Sequence, residues 1–273
     1  MKVKELPKSI YHTLRLRLTP SKKFDDNRPV LPVIVSLATI PSRLNIVHLT
    51  IRSILLQKKR PKKIVLWVHR DCKYDMPEKL SRLQNKTFEI HFSELTSSHR
   101  KLVNTMQLYP EETVVTCDDD MIYQPNWFPR LYDSHRKHPN MIIANQTRCI
   151  MYDENGNLLS YKNWGSGYTC ENSKAVLPIG AGGTLYPPNS LHEDALNSSL
   201  FLKLTPKADD LWFKAMSLKK GTLSYQAKNI AGEPIPIFGS QKESLKKSNI
   251  KQDKNRDQWQ AVADHYGLHD LIR

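Results

Sequence analysis

The chain has 273 residues, 39% of them hydrophobic, and a formal net charge of +14 at neutral pH. This length and composition suit one α/β domain with a sizeable core, and no stretch approaches the roughly 18 consecutive apolar residues that a membrane-spanning helix needs. The N-terminal residues include lysines but lack the apolar segment of a secretory signal. We therefore expect a cytoplasmic protein with an acidic partner.

Positive charge concentrates in three places: the N-terminal arm, residues 57–63 and residues 242–256. An anionic membrane surface and nucleic acid both fit such charge, and so does a basic surface that only confers solubility. The sequence contains no aromatic RNP-like strand, zinc finger or basic zipper. We therefore expect no nucleic-acid partner and keep the membrane surface as a candidate.

Three segments are expected: a basic arm over 1–30, a catalytic domain over 31–240, and a basic C-terminal segment over 241–273 whose helix packs on or near the active site. Prolines punctuate the arm, and a short helix or strand between them interleaves apolar and basic residues. Such a segment suits a membrane surface. It equally suits a tail that docks on its own domain.

Strands and helices alternate from residue 32 onward. The pattern predicts strands over 32–40, 62–69, 88–92, 112–117 and 140–147, and helices over 77–85, 99–110 and 126–137. A further helix beginning near Ser42 places apolar residues on one face: Leu44, Val47, Ile51, Ile54 and Leu55. The alternation predicts a mostly parallel sheet with helices on both faces, whose ligands bind at the carboxyl ends of the strands.

One predicted strand ends in three consecutive aspartates, in the sequence TVVTCDDDMIY over 113–123. A solvated turn with a capping Asp explains one or two of them. Three carboxylates favour a divalent cation, because oxygen ligands are those that Mg²⁺ and Mn²⁺ prefer. Their position at the end of a strand supports a metal site.

The second half is less regular and contains two further motifs. The glycines of GAGG (180–183) allow positive φ or close approach to a ligand, and they are equally typical of tight turns. Asp209 and Asp210 in ADDLWF fall at a predicted helix start, where the helix dipole favours an acid whatever its function.

The four cysteines lie far apart, without a C-x-x-C pair or a histidine at zinc spacing. We expect no disulfide and no zinc. Cys117 lies in an apolar strand and is interpreted as a small core residue.

Four pieces together resemble the GT-A glycosyltransferases: VIVSLATIPSR, HRKLVNTM, VVTCDDDMIY, and GAGGTLYPP with ADDLWF. They cover residues 32–215, and they are most similar to small bacterial enzymes that build capsule or lipopolysaccharide. The resemblance implies a Rossmann-like GT-A fold and transfer of a sugar from a nucleotide-diphosphate donor, UDP-linked in our expectation. It implies a saccharide or lipid-linked saccharide acceptor. It also implies that the protein works at the inner face of the cytoplasmic membrane.

The resemblance also implies roles for residues near the strand ends. Thr39, Pro41 and Arg43 would contact the nucleotide, and Asp71 its base. Lys101 would reach a ribose or phosphate.

The remaining roles implied by the resemblance concern the acidic and glycine motifs. Asp118 would face the ribose or the metal, Asp119 the nucleotide sugar, and Asp120 the Mn²⁺ or Mg²⁺ that bridges the diphosphate. Gly182 and Gly183 would line the sugar pocket. Asp210 would be the base of an inverting transfer with Asp209 in support; retaining members share the sheet and the D-x-D element, so stereochemistry stays open.

Three alternatives remain. A sugar nucleotidyltransferase shares the sheet, but it needs a glycine-rich, arginine-containing loop after the first strand, and SLATIPSR has no glycine. A metal-dependent nuclease gathers further acids and histidines around two metals. A binding module with a structural cation is the non-enzymatic alternative.

Overall fold

The computed structural model of the protein describes residues 5–24, 27–240 and 252–272. The helices within these ranges are α1 (Leu6–Leu18), α2 (Val47–Leu55), α3 (Glu78–Ser81), α4 (Arg100–Leu108), α5 (Trp127–Lys137), α6 (Ser198–Leu204), α7 (Asp209–Lys220), α8 (Lys254–Tyr266) and α9 (His269–Ile272). Short 3₁₀ turns connect several elements.

The first six strands are β1 (Val30–Ala38), β2 (Arg60–His69), β3 (Phe88–Ser93), β4 (Thr113–Thr116), β5 (Met121–Ile122) and β6 (Ile142–Ala144). The others are β7 (Thr147–Cys149), β8 (Gly165–Ser166), β9 (Val176–Pro178), β10 (Thr184–Tyr186), β11 (Ser224–Gln226) and β12 (Ile235–Pro236).

Seven strands form the central sheet in the order β11-β6-β10-β4-β1-β2-β3. Only β10 runs against its neighbours in this sheet, and the other strands are parallel. Strands β12 and β5 pair separately, and β7 pairs with β8 and β9. The architecture is Rossmann-like α/β, which confirms the predicted fold class.

Alternate side chains of the strands enter cores on opposite faces of the sheet. In β4, Val114 belongs to the core that includes residues of α4, α7 and α8, whereas Val115 belongs to the core that includes residues of α2 and α5. Ile142 and Ile143 of β6 divide in the same way. This alternation follows from the two-residue period of a strand and confirms helices on both faces.

The prediction of a helix beginning near Ser42 is wrong in its start. Residues Pro41–Arg43 form a 3₁₀ turn, and α2 begins only at Val47. The Arg43 guanidinium is drawn toward the aspartates that follow β4, so this stretch serves the strand ends instead of extending the helix. The apolar face expected for the helix is buried.

The half of the chain that looked irregular contributes to the sheet itself. The segment after the GAGG motif is β10, which inserts between β4 and β6 in antiparallel register. Three residues are too few to show an alternating pattern, so the sequence did not reveal this strand. Its position brings the GAGG loop beside the aspartates.

The N-terminal arm docks on the domain, one of the two alternatives that the sequence left open. Leu16 packs with Ile122, Ile235 and Ile237. Arg52 of α2 donates to the Leu16 carbonyl at 2.7 Å. No described helix is both long and apolar enough to cross a bilayer.

The C-terminal helix α8 packs against α7, and Trp259 and Val262 are fully buried there. Gln258 accepts a hydrogen bond at 2.9 Å from the backbone N–H of Lys207, two residues before α7 begins. The helix thus supports the segment that carries the predicted acid pair. Residues 241–251 of the predicted basic segment lie outside the described residues.

The expectation of no disulfide is wrong. Cys149 in β7 is bonded to Cys170, with their Cα atoms 5.4 Å apart. The β7–β8 hairpin folds the chain back and brings together two cysteines 21 residues apart, a spacing that carries no motif. Cys117 is fully buried, as expected for a core residue.

Lys214 on α7 is a buried lysine inside this core. Its side chain is almost fully enclosed, and its Nζ has no hydrogen-bond partner among the described residues. Burial lowers the pKa of Lys214 to about 7. The amine therefore costs folding free energy in either protonation state.

We expect Lys214→Met to stabilise the protein by on the order of 1–3 kcal/mol at neutral pH, because it replaces an unpaired amine with an apolar chain of similar length. The unfolded state keeps a lysine pKa of about 10.4, so it binds more protons than the folded state above pH 7. The advantage of the variant should accordingly shrink as pH rises from 7. Chemical denaturation at several pH values measures it, with Lys220→Met at an exposed position as control. Equal stability of Lys214→Met and wild type would contradict the assignment.

Candidate active site

The ends of β1 and β4 lie side by side, and Asp119 ties them together. Its Oδ2 accepts a hydrogen bond from Thr39 Oγ1 at 2.6 Å, and its Oδ1 accepts one from Arg43 Nη1 at 2.7 Å. Burial raises the pKa of Asp119, and the Arg43 guanidinium opposes that rise. With both oxygens engaged, Asp119 holds the strand ends, and its contact with a nucleotide sugar remains a prediction.

Asp120 shares the same arginine. Its Oδ2 lies 3.1 Å from Arg43 Nη2, and its backbone carbonyl accepts a hydrogen bond from the Ile237 N–H at 2.9 Å. Directly after it, β5 pairs with β12. Asp120 is thus held by an ion pair through its side chain and by a hydrogen bond through its backbone carbonyl.

Asp118, unlike the other two aspartates, contacts Lys101. The Lys101 ammonium lies 3.1 Å from Asp118 Oδ1 and 3.0 Å from Asp209 Oδ2. Lys101 and Asp209 are buried, whereas the side chain of Asp118 is 34% exposed. Lys101 therefore joins the aspartates that follow β4 (Asp118 to Asp120, which we call the acidic element) to the acid pair at the start of α7.

Asp210 contacts the GAGG loop. Both of its carboxylate oxygens lie 3.1 Å from the backbone nitrogen of Gly180, which donates to them. A Cβ at Gly180 would lie 2.9 Å from Asp210 Oδ1 and 3.4 Å from Lys101 Nζ. A larger residue here would displace the Asp210 carboxylate, so glycine suits the close approach of the loop to this side chain. Gly180 was not among the predicted site residues, although it is the first glycine of the GAGG motif.

The two acids of ADDLWF differ in the direction in which their pKa values are shifted. Burial and the neighbouring Asp209 charge raise the pKa of Asp210 to about 7. Burial would also raise the pKa of Asp209, but the adjacent Lys101 ammonium keeps that pKa below its usual value. Pairs of carboxylates whose pKa values are shifted in opposite directions are typical of acid–base sites.

The other two glycines pack against side chains. The Gly182 carbonyl accepts a hydrogen bond from Trp127 Nε1 at 2.7 Å, and a Cβ at Gly182 would lie 2.7 Å from the Gln146 side chain. Gly183 has φ of +99°, and a Cβ there would meet Trp127 at 2.5 Å. These contacts explain both glycines through packing and backbone conformation; their place in a sugar pocket stays a prediction.

Two buried residues that the sequence analysis did not select hold the site together. The hydroxyl of Tyr123 accepts from the Asp118 N–H at 2.9 Å and donates to the Ala181 carbonyl at 3.3 Å. Arg100 donates to the Thr39 carbonyl. An apolar pattern does not show which tyrosine or arginine is turned inward, so only the fold reveals them.

Pro41 and Asp71 lie at the edge of this arrangement. Pro41 begins the exposed 3₁₀ turn after β1. Asp71 follows β2, its side chain is 87% exposed, and it lies 3.3 Å from His69 Nδ1. The contacts of Pro41 and Asp71 with a nucleotide remain predictions.

The three aspartates do not converge as a metal cage. Arg43 engages two of them and Lys101 the third. No group of three or more acidic, histidine or cysteine side chains among the described residues could hold a metal. Asp118 and Asp120 fit only a site that substrate phosphates and water complete, which is the usual way Mg²⁺ binds in phosphate-handling enzymes.

Comparison with known proteins gives similarity in structure alone. No protein-family model matches the chain, and no curated protein matches it in sequence. A 4-diphosphocytidyl-2C-methyl-D-erythritol synthase from Anaerococcus prevotii aligns with TM-score 0.44 and 10% identity, over 76% of this chain and 90% of its own. HddC from Yersinia pseudotuberculosis aligns with TM-score 0.43 and 11% identity, over 86% and 99%.

A third structure, CMP:2-keto-3-deoxy-manno-octonic acid synthetase complexed with CTP, aligns with TM-score 0.42 and 9% identity, over 76% of this chain and 93% of its own. None of these three names is that of a glycosyltransferase, so the comparisons do not support that assignment. Similarity this low does not bear on the reaction.

Proposed function

We propose that the protein is a nucleotide-sugar-dependent glycosyltransferase acting on a saccharide or lipid-linked saccharide hydroxyl. One observation carries the proposal: Lys101 contacts both Asp118 and Asp209, while Asp210 contacts the GAGG loop. Three motifs that are far apart in sequence thus meet at one edge of the sheet. In our proposal Lys101 and Asp118 serve the donor diphosphate and Asp210 serves as the base, which are the two tasks that glycosyl transfer needs.

In this proposal Asp210 accepts the proton of the acceptor hydroxyl. The acceptor oxygen forms a bond to the anomeric carbon, and the bond from that carbon to the donor phosphate breaks. The electron pair leaves with the nucleoside diphosphate, and the proton ends on Asp210. A base with a pKa near the working pH suits this role.

Lys101 stabilises the charge that develops on the departing diphosphate. Its ammonium is buried and held by two carboxylates, so it needs little reorganisation when the diphosphate binds beside it. Asp209 keeps Lys101 in place, and its charge adds to burial in raising the pKa of Asp210.

A divalent cation, Mn²⁺ or Mg²⁺, belongs to this proposal. Asp118 and Asp120 would hold it together with the diphosphate. It would supply Lewis-acid stabilisation of the leaving group.

We expect Asp120→Asn to weaken nucleoside-diphosphate binding in the presence of Mn²⁺ by about tenfold or more, since a carboxylate ligand is lost. Titration calorimetry with and without EDTA measures this. Because Asp120 also pairs with Arg43, the control is Asp119→Asn, which disturbs the same arginine. A nucleoside-diphosphate affinity that neither EDTA nor Asp120→Asn changes would contradict the metal assignment.

The proposal is tested first by thermal shift with UDP, GDP and CDP, each with and without Mn²⁺. A ligand present at 100 times its dissociation constant stabilises the folded state by about 2.7 kcal/mol, which is readily seen. We expect one nucleoside diphosphate, UDP in our proposal, to stabilise the protein more than the others do. No shift with any nucleotide would count against both a glycosyltransferase and a sugar nucleotidyltransferase.

Sugar nucleotidyl transfer is the second candidate, and one observation favours it. Two cations, Arg43 and Lys101, contact different aspartates of the 118–120 triplet, and two separate cations suit the charge of a nucleoside triphosphate. Against it, the turn after β1 contains no glycine, and Arg43 is engaged by Asp119 and Asp120. The two reactions differ in their products: nucleoside diphosphate from one and pyrophosphate from the other.

A further inference from the structure

Helix α1 has an inner face that docks on the domain. Ser9, Thr13 and Leu16 are its buried residues, at spacings of four and three. Ser9 Oγ donates to the Pro236 carbonyl at 2.6 Å, and the Phe238 N–H donates to Thr13 Oγ1 at 3.4 Å. These contacts fix which face of the helix points away from the protein.

The outward face of α1 is apolar, which is the reverse of an ordinary surface helix. At 100° per residue, Tyr11, Leu14 and Leu18 lie within about 40° of the direction opposite Ser9. Their exposures are 63%, 49% and 80%. Three large apolar side chains therefore form one exposed stripe on a helix that is already anchored from behind.

Basic side chains border this stripe on both sides. Arg17 lies on one flank, and Lys8 and Arg15 lie on the other, each about 60–100° from the centre of the stripe. All three are exposed. The stripe and its border, which we call the α1 outer face, combine an apolar centre with cationic edges.

Segments next to α1 carry further exposed apolar and basic residues. Phe238, whose backbone N–H donates to Thr13 on the inner face of α1, is a further large apolar side chain near this helix and is 49% exposed. Lys22 and Lys23, just beyond the helix, are exposed and cationic. The chain as a whole carries +14. The surface is thus apolar at its centre and positive around it.

We propose that the α1 outer face binds the surface of an anionic lipid bilayer, with α1 parallel to the membrane plane. The apolar stripe enters the boundary between head groups and acyl chains, and the bordering cations meet lipid phosphates. Charge complementarity selects this occupant over a second copy of the chain, since two such faces would bring like charges together. This inference does not depend on the reaction that the site catalyses.

Membrane binding through α1 also orients the active site. The β12 segment that holds α1 pairs with β5, and the Ile237 N–H donates to the Asp120 carbonyl. Leu16 packs on Ile122 of β5. The docking helix is therefore two contacts away from the acidic element, and it fixes that element relative to the bilayer.

The test is co-sedimentation of the full chain with vesicles of phosphatidylcholine alone or of phosphatidylcholine with phosphatidylglycerol, at low and high salt. We expect binding to require the anionic lipid and to weaken with salt. The triple variant Tyr11→Ser/Leu14→Ser/Leu18→Ser should bind at least about tenfold more weakly, because burial of the stripe is lost. The double variant Arg15→Gln/Arg17→Gln should lose about fivefold per charge.

Matched controls change equally exposed residues elsewhere. Leu108→Ser/Leu202→Ser removes two leucines that are 45% and 44% exposed, and Lys203→Gln/Lys220→Gln removes two exposed charges. Both should bind vesicles as wild type does. Equal binding to neutral vesicles, or unchanged binding of both α1 variants, would overturn the proposal. Sedimentation velocity that shows a dimer dissolved by the triple variant would also overturn it, in favour of a second copy.

Discussion

The variant Asp210→Asn is expected to lower turnover by about 10²–10⁴-fold, the usual cost of losing a general base. Its amide cannot accept the proton of the acceptor, but it can still meet the Gly180 N–H through its oxygen. Folding and donor binding should therefore persist. Initial rates at saturating donor, with donor affinity measured separately, check this expectation.

Two controls make the result for Asp210 specific. Turnover of the wild type should rise with pH through about 7, where Asp210 loses its proton, and this rise should vanish in the variant. Asp209→Asn should retain more activity, because Asp209 is engaged by Lys101. An active Asp210→Asn beside an inactive Asp209→Asn would reverse the two roles. A product that keeps the donor's anomeric configuration would exclude the single displacement.

Lys101→Met is expected to have the largest effect on stability, about 3–5 kcal/mol, because it leaves the buried Asp209 carboxylate without its partner. It should also weaken binding of the nucleoside diphosphate. Chemical denaturation gives the first quantity and calorimetry the second. The double variant Lys101→Met/Asp209→Asn should recover part of the stability, since the unpaired charge is gone.

The comparison for Lys101 is Lys63→Met, which breaks a partly exposed pair with Glu89. Exposed pairs contribute about 0–1 kcal/mol, so this control should be nearly neutral. If Lys101→Met has the same free energy of unfolding as the control and binds nucleotide as wild type does, Lys101 does not link Asp118 with Asp209.

The sheet was predictable because its long parallel strands are continuous apolar runs between helices with a clear apolar face. β1 and β2 coincide closely with the predicted strands. β10 was not predictable, since it has three residues and follows a glycine turn. The Cys149–Cys170 disulfide was missed for a related reason, because a hairpin brings its cysteines together.

At the candidate site, the sequence indicated which acids gather but not how their charges are balanced. The aspartate triplet predicted a cation, and the described structure supplies two from the chain itself, Arg43 and Lys101. Which partner each carboxylate takes depends on the 3₁₀ turn after β1, which carries Arg43, and on the start of α4, which carries Lys101. Those details, like the approach of Gly180 to Asp210, arise only when the strand ends meet.

Phosphorus NMR of the products tests the central claim most directly. The protein is incubated with Mn²⁺ and the nucleotide sugar whose nucleoside diphosphate gives the largest thermal shift, with a mixed saccharide acceptor pool. A parallel sample contains the matching nucleoside triphosphate and sugar 1-phosphate. Glycosyl transfer predicts nucleoside diphosphate from the first sample, lost in Asp210→Asn, and no pyrophosphate from the second. Pyrophosphate and a nucleotide sugar from the second sample, with no diphosphate from the first, would contradict the account and identify a nucleotidyltransferase.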